Sequence, residues 1–455
     1  MEKFFQFKEK GTDFKKEVTA GITTFLAMAY IIAVNPDILG IAGMPKGAVL
    51  TATCLTAGLT TIFMGLYAKL PFALASGMGL NAFFTFSVVK VMGVQWETAL
   101  TAVFLEGIIF IILSLTNVRE AVVNAIPNTL KLAVTVGIGF FIAFIGFANA
   151  GIVVKSPDTF VKLGDFTTPT VFITCMGIIV IVILSKKNIR GALLWGIVIS
   201  TLISWLYALG NTQVAAEVYG IHLPNGIFKY ESIKPVAFKL DFSHIKDSTR
   251  IFQFITVVFT FLFVDFFDTV GTLIGVASKV GMVDNKGRVK NAGKALLVDS
   301  IGTTFGAVMG TSAVTTYVES SAGVAAGGRT GLTSIVTGIL FLLAMFLSPL
   351  FIAIPACATA PVLIIVGFFM IENVIKINFQ DFTEGVPAFL TIALMPLTYS
   401  IGDGLTLGIL SYVILNLTNN LFTKDRSKKK KVSFVLYILA ILFIIKLIAV
   451  GLSNK

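Results

Sequence analysis

Fourteen stretches of about 20 mainly apolar residues, and a fifteenth near the C-terminus, divide this chain and fix the solvent in which it folds. Inside a bilayer the backbone must satisfy its own hydrogen bonds, so apolar windows of that length read as spanning helices. They lie near 19–39, 48–67, 71–91, 97–115, 129–149, 168–185, 190–210, 253–278, 294–310, 311–328, 330–348, 350–371, 385–401 and 402–421. The last stretch, 433–450, follows a basic cluster, and the sequence leaves open whether it spans. Composition agrees: 56% of residues are hydrophobic, 13% are charged and the mean hydropathy is +0.91, which excludes a soluble globular chain.

Two windows are poor spans. Residues 71–91 contain Pro71, Gly77 and Gly79, and residues 311–328 are mostly Ser, Thr, Gly and Ala around Glu319. Both are expected to be broken helices. They hold the third place in each half of a repeat: Ala125-Ile-Pro127 recurs as Ala353-Ile-Pro355 and Gly139-Phe-Phe141 as Gly367-Phe-Phe369, both at a shift of 228 positions. Seven spans per half is an odd number, so the second half must be inverted. Inverted halves with broken helices in matching places point to a secondary transporter whose site lies at the midplane.

The net charge of +11 is topological. The N-terminus and the even-numbered connections carry 18 Lys and Arg, and Lys424–Lys431 adds six; the odd connections hold nine, five of them in the loop 211–250. Both ends of the fourteen-span unit are therefore expected in the cytoplasm, with lipid rather than nucleic acid as the basic residues' partner. The first 17 residues lack the apolar core of a cleavable signal. Cys54, Cys175 and Cys357 are far apart and show no metal or redox spacing. The two histidines, His222 and His244, fall in the 211–250 loop, which excludes a membrane-embedded His relay.

The chemistry must then come from carboxylates, amides and hydroxyls. Asp265 and Asp268 stand inside the apolar run from Phe254 to Ala277, at i,i+3 on one helix face. An intramembrane carboxylate costs roughly 2.5–3.5 kcal/mol on insertion scales and by default faces a pathway. Two that close cannot both ionise cheaply, which suits a proton carrier. Glu319 lies in the other broken segment. In Gly77-Met-Gly-Leu-Asn-Ala-Phe-Phe84 the glycines, Gly79 among them, let backbone approach a ligand, and Asn81 offers donor and acceptor. Glu106 and Asp299 are single acids suited to pairing or packing. Phe83, Phe84, Phe266 and Phe267 could stack on a flat ligand, although with 41 phenylalanines a packing role is favoured for any one. No nucleotide loop, metal set or nucleophile–base pair is present, so no enzyme activity, cofactor or metal is expected. Acids, an amide and backbone N–H groups beside aromatics suit a small, planar, neutral ligand. Nucleobases fit; sulfate and bicarbonate fit poorly.

Three stretches, Gly77-Met-Gly-Leu-Asn-Ala-Phe-Phe-Thr-Phe86, Phe263-Val-Asp-Phe-Phe-Asp-Thr-Val-Gly-Thr272 and Thr311-Ser-Ala-Val-Thr-Thr-Tyr-Val-Glu-Ser-Ser321, resemble the AzgA-like purine permeases of the nucleobase–ascorbate (nucleobase:cation symporter) transporter family. The likeness extends to about residue 421. It implies an all-α polytopic membrane protein of 14 segments in a 7+7 inverted repeat, with short strands in segments 3 and 10. It further implies a core domain (19–127 and 251–349), a gate domain (128–250 and 350–421) and, beyond them, the basic C-terminal region 422–455. By carry-over Asp265 and Glu319 hold the base, Asn81 lines the site with Gly79 and Thr316 from the same motifs, and Asp268 serves coupling. Many relatives place a His near the site; this chain has none, so coupling must run through carboxylates. The expected activity is import of hypoxanthine, guanine or adenine with a proton across the inner (plasma) membrane. Uracil, xanthine or anion transport on the same fold and sodium coupling are the alternatives. Dimers occur in the wider family, so a homodimer is compatible with the resemblance.

Overall fold

The computed structural model describes residues 2–115, 127–246, 250–279, 291–423 and 430–453, without the side chains at 3, 252, 266–268, 270–271, 273–279, 446 and 449–453. Every expected apolar window carries regular structure, and the third and tenth are broken. The first window is two helices, α1 (Phe14–Met28) and α2 (Ile31–Ile41). They join at Ala29-Tyr30, where the bonding tightens to i→i+3 (Ile32 N to Ala29 O 3.2 Å, Ala33 N to Tyr30 O 3.1 Å). α3 (Lys46–Phe63) runs into a π-wound turn, Met64–Ala68, closed by Lys69 in the left-handed region at φ 58. Pro71 has no N–H with which to resume a helix, and the chain extends into β1 (Leu74–Ser76). α4 (Met78–Ala82) restarts after Gly77 and continues as the π-wound stretch Phe83–Val91, and α5 (Trp96–Leu115) follows.

Next come α6 (Asn128–Ala150), α7 (Pro169–Lys186) and α8 (Ala192–Gly210). Between α6 and α7 an exposed antiparallel hairpin, β2 (Val153–Ser156) with β3 (Phe160–Leu163), was not expected from the sequence. The second half repeats the first: α9 (Ile251–Lys279), α10 (Ala292–Met309), β4 (Val314–Thr316), α11 (Ser320–Ala325) and α12 (Gly331–Ala344), then α13 (Ala356–Ile371), α14 (Phe382–Leu397) and α15 (Ile401–Phe422). Gly310, at φ 92, ends α10 and turns the chain into β4 while Thr311 N bonds back to Gly306 O at 2.9 Å. Among the described residues, eight helical runs, α1–α2 and α6 among them, are long and apolar enough to cross a bilayer, and shorter apolar helices such as α12 and α14 accompany them.

The two halves interlock. β1 pairs antiparallel with β4 in the register Leu74↔Thr316, Ala75↔Thr315, Ser76↔Val314. Gly77 N to Ala313 O (3.0 Å) and Tyr317 N to Ala73 O (2.9 Å) extend the ladder at its ends. The groups pointing away from the partner strand are met symmetrically. Thr61 Oγ1 of α3 accepts from Leu74 N (2.9 Å) and donates to Leu74 O (3.1 Å); Thr303 Oγ1 of α10 does the same for Val314 N (3.1 Å) and O (3.0 Å). α3 packs on α12 of the other half, and α10 on α5. Glycines make these contacts close: a Cβ at Gly58 would stand 2.9 Å from Gly338 O, and one at Gly107 would stand 2.4 Å from Thr304 Oγ1. Gly139 and Gly367, the residues matched by the repeat, face each other where α6 crosses α13, each blocking a Cβ on the other. Repeat-related positions thus meet near the axis that relates the halves.

The loop 211–250 is tied to helix ends. Val236 is buried against Gly310, Phe238 N bonds Val308 O at 2.7 Å, and Thr98 Oγ1 bonds Asp241 Oδ2 at 2.7 Å. At the other end of the chain, 433–450 is one helix, α16 (Phe434–Ser453), with Leu436, Leu439, Ala440 and Phe443 forming a buried stripe; it packs on α15 and α9. Lys430 clamps its entry, its Nζ reaching Asp381 Oδ2 (2.5 Å), Glu384 Oε1 (2.8 Å) and Thr383 Oγ1 (3.0 Å).

Replacing Thr61 by Val leaves the buried N–H and C=O of Leu74 without the hydroxyl, a cost of about 1–3 kcal/mol. Thermal unfolding of the purified protein is expected to show that loss for Thr61→Val and recovery for Thr61→Ser. The bond from Lys430 holds the Asp381 carboxyl below the usual carboxylate range. A depressed carboxyl adds stability above its unfolded pKa, near 3.9, and loses it as pH falls through the folded value. Between pH 6 and pH 3 the melting temperature of the parent should fall further than that of Lys430→Met.

Candidate functional site

The two strand–helix breaks bring buried polar side chains together. α9 lies against β4, α4 and α11, so the helix bearing Asp265 contacts both broken segments, and α6 packs over α4 and α9. Asn81, in the first turns after β1, is fully buried. Its Oδ1 accepts from the Ser312 hydroxyl just before β4, and its Nδ2 has no hydrogen-bond partner among the described residues. A buried amide nitrogen without an acceptor costs free energy unless something else accepts from it. Gly77 supplies no side-chain cap to α4, so the first N–H groups of that helix are likewise uncapped by a side chain.

Asp265 is fully buried and bonded to Thr269 one turn on (Oγ1 to Oδ1 3.2 Å). The same Thr269 hydroxyl stands 2.7 Å from Asp299 Oδ2, and Thr316 of β4 donates to Asp299 Oδ1 at 3.2 Å. Asp265, Thr269, Asp299 and Thr316 therefore form one buried chain linking α9, α10 and β4. A Thr hydroxyl has a single proton to donate. It cannot donate to both acids at once, and the second contact becomes a hydrogen bond only when one carboxyl brings a proton of its own. The sequence already marked Asp299 as an acid suited to pairing; the structure supplies the pair.

Glu319 precedes α11, and its Oε1 accepts from Tyr30 Oη at 2.7 Å. Tyr30 sits at the α1–α2 junction, so a third interrupted helix serves the same region. Its ring lies 6.4 Å from that of Tyr317, whose hydroxyl donates to Ser76 O at 2.5 Å. Beside them Asn35 Nδ2 contacts Thr53 Oγ1 (2.7 Å) and Thr311 Oγ1 (3.0 Å), and Ser76 and Thr311 share a hydroxyl contact of 2.6 Å. Tyr30 and Asn35 are site neighbours that sequence reasoning missed. Both stand in the first apolar window, and only their closeness to a helix break would have marked them.

The other expected residues are placed as follows. Gly79 lies against α6, where a Cβ would come within 2.6 Å of Ile138 Cγ2, so the position admits a close helix approach. The Thr316 hydroxyl faces Asp299. Phe83 and Phe84 are fully buried against Phe261, at ring distances of 4.8 and 6.4 Å, in packing roles. The side chains of Asp268, Phe266 and Phe267 lie outside the described residues.

Comparison with known proteins matches residues 15–405 to the Permease family. Over 448 residues the chain is 42% identical to the adenine permease AdeP of Escherichia coli (strain K12), covering 98% of this chain and 96% of that protein. Over 454 residues it is 43% identical to the guanine/hypoxanthine permease PbuG of Bacillus subtilis (strain 168), covering 98% and 99%. Among solved structures, the transmembrane domain of a cyanobacterium bicarbonate transporter, BicA, superposes with a TM-score of 0.63 at 15% identity, over 86% of this chain and 97% of that one. At that identity the likeness is one of fold, the 7+7 inverted repeat with strands in segments 3 and 10. The interlocked halves, the full-length kinship and the apolar helices agree: this chain is a multi-pass membrane transport protein of the Permease family.

Proposed function

We propose that this protein imports purine nucleobases (hypoxanthine, guanine or adenine) together with a proton, binding the base between the two strand–helix breaks and α9. The observation that carries the reading is the buried Asn81 amide. Among the described residues its Nδ2 has no acceptor, at a point where two broken helices and α9 converge, in a chain whose full-length relatives include an adenine and a guanine/hypoxanthine permease. A base carbonyl or ring nitrogen would accept from Asn81, and Asp265 and Glu319 would accept the base's N–H groups. The acids disfavour an anion in this place, so the fold shared with a bicarbonate transporter does not extend to that substrate.

For coupling, the Asp265–Thr269–Asp299 chain is the proposed proton store, with Asp268 beside it on the same helix. A proton there lets the Thr269 hydroxyl and one carboxyl each donate once, removing the conflict between two acids over one hydrogen. Sodium is the competing ion, since carboxylates and hydroxyls also ligate cations. In this reading α1–α5 with α9–α12 form the core and α6–α8 with α13–α15 the gate. The core would rock against the gate to give alternating access, with the N-terminus cytoplasmic and the protein in the plasma membrane.

The test is uptake of labelled hypoxanthine into proteoliposomes with an inward proton gradient, a sodium gradient, or neither. Accumulation is expected with the proton gradient alone. In Asp299→Asn the chain loses one acid, and gradient-driven accumulation should fall by about tenfold or more, the factor equal to 1.4 kcal/mol, while equilibrium exchange of base persists. Accumulation driven equally by sodium, or unchanged in Asp299→Asn, would sink the proton assignment. Absence of hypoxanthine uptake by folded protein would remove that base.

A further inference from the structure

A second polar cluster lies outside this site, at the end of α2 remote from the N-terminus. Asp37 accepts from Lys46 Nζ of α3 at 2.7 Å and from Thr359 Oγ1 of α13 at 3.3 Å. In the core-and-gate reading, Asp37 and Lys46 belong to the core group of helices, on α2 and α3, and Thr359 to the gate group, on α13. A cavity of about 130 Å³ opens beside them, lined from one group by Val34, Asp37, Ile38 and Lys46 and from the other by Asn149, Thr359 and Leu363. The arrangement is built: a Cβ at Gly40 would meet Lys46 Cγ at 2.9 Å, so the glycine gives the Lys46 stem room to lie along α2.

We propose that Asp37 and Thr359 are the polar latch that closes this end of the cleft between core and gate, an inference that rests on the core-and-gate reading above. Thr359 has one hydroxyl proton and two acceptors, Asp37 Oδ2 across the cleft at 3.3 Å and Ala356 O in its own helix at 3.1 Å. When the cleft opens, the hydroxyl keeps Ala356 O and Asp37 keeps Lys46. Neither group is left without a partner, so opening avoids the penalty of an orphaned buried polar group. A contact of 3.3 Å, beyond the usual 2.5–3.0 Å for hydroxyl donors, is also one that can be broken in each cycle. Lys46 is the positioning residue, orienting the carboxylate and holding its charge through the change.

The experiment uses the full chain in liposomes, with Cys54, Cys175 and Cys357 replaced by Ala and Asn149→Cys introduced in the cavity wall. The readout is the rate of labelling by a membrane-impermeant maleimide, which needs no substrate. Thr359→Val should raise that rate about tenfold, the factor equal to 1.4 kcal/mol, and Thr359→Ser should return it to the parent's. Asp37→Ser, which withdraws the carboxylate acceptor from the opposite side, should raise it likewise. Labelling of Thr359→Val or Asp37→Ser at the parent's rate, or of Thr359→Ser at the faster rate, would overturn the latch. A bis-maleimide bridge between Val34→Cys and Leu363→Cys separates the two readings. Hypoxanthine uptake that continues under the bridge overturns the core-and-gate motion and the latch with it. Uptake blocked by the bridge, with labelling unchanged in Thr359→Val, overturns the latch alone.

Discussion

Satisfying non-helical backbone inside an apolar interior is the constraint on which this structure depends. Two three-residue strands are too short to be stable alone, and each has groups that point away from its partner. Thr61 and Thr303 meet those groups from α3 and α10, each hydroxyl taking an N–H and returning its proton to a carbonyl of the same residue. The strands come from opposite halves, so neither half can complete its own break. Pairing of the breaks therefore fixes how the halves dock, and it also fixes where Asn81, Ser312 and Thr316 stand. Local backbone chemistry, domain docking and site geometry are one problem with one solution.

Glycine placement follows from the same docking. Gly58 against Gly338 and Gly139 against Gly367 put backbone against backbone, which gives dispersion contact where lipid offers no hydrophobic gain for burying larger side chains. The Gly139/Gly367 contact joins two positions that the sequence repeat equates. An inverted repeat brings such positions together near its axis, and a side chain on either would have to clear its own counterpart. This is a physical reason for Gly-Phe-Phe to stand at both places.

Much of this was legible in the sequence because the signal for a spanning helix is strong, and because breaks announce themselves through Pro71, Gly77 and a Ser/Thr-rich run. The division of the first window at Tyr30 was not legible. No Gly or Pro marks it, and Pro36, the visible breaker, lies inside α2. The β2–β3 hairpin was missed because its eight strand residues sit between two long apolar windows that dominate any average. For the site, residue types named Asp265, Glu319 and Asn81, but partners cannot be read from spacing. Asp299 is 34 positions from Asp265, and the packing of α9 on α10 through Thr269 joins them. Tyr30 reaches Glu319 across 289 positions.

A threonine hydroxyl placed between two claims recurs through the molecule. Thr61 and Thr303 use both roles of the hydroxyl at once. Thr269 faces two carboxylates with one proton, and Thr359 faces a carboxylate and a carbonyl with one proton. In the latter two the hydrogen bond can be remade without moving a heavy atom far, because rotation about one bond redirects the proton. A buried charge changes its free energy by several kcal/mol when its partner is withdrawn, so a site that must change state benefits from a partner that can turn away at little cost. Thr supplies that in a membrane interior, where Lys or Arg would bring a charge and Asn a second donor to satisfy. Under the proposed proton coupling, the proton that decides which acid is served at Thr269 would come from solution. That requirement would join the site's internal geometry to a gradient across the bilayer.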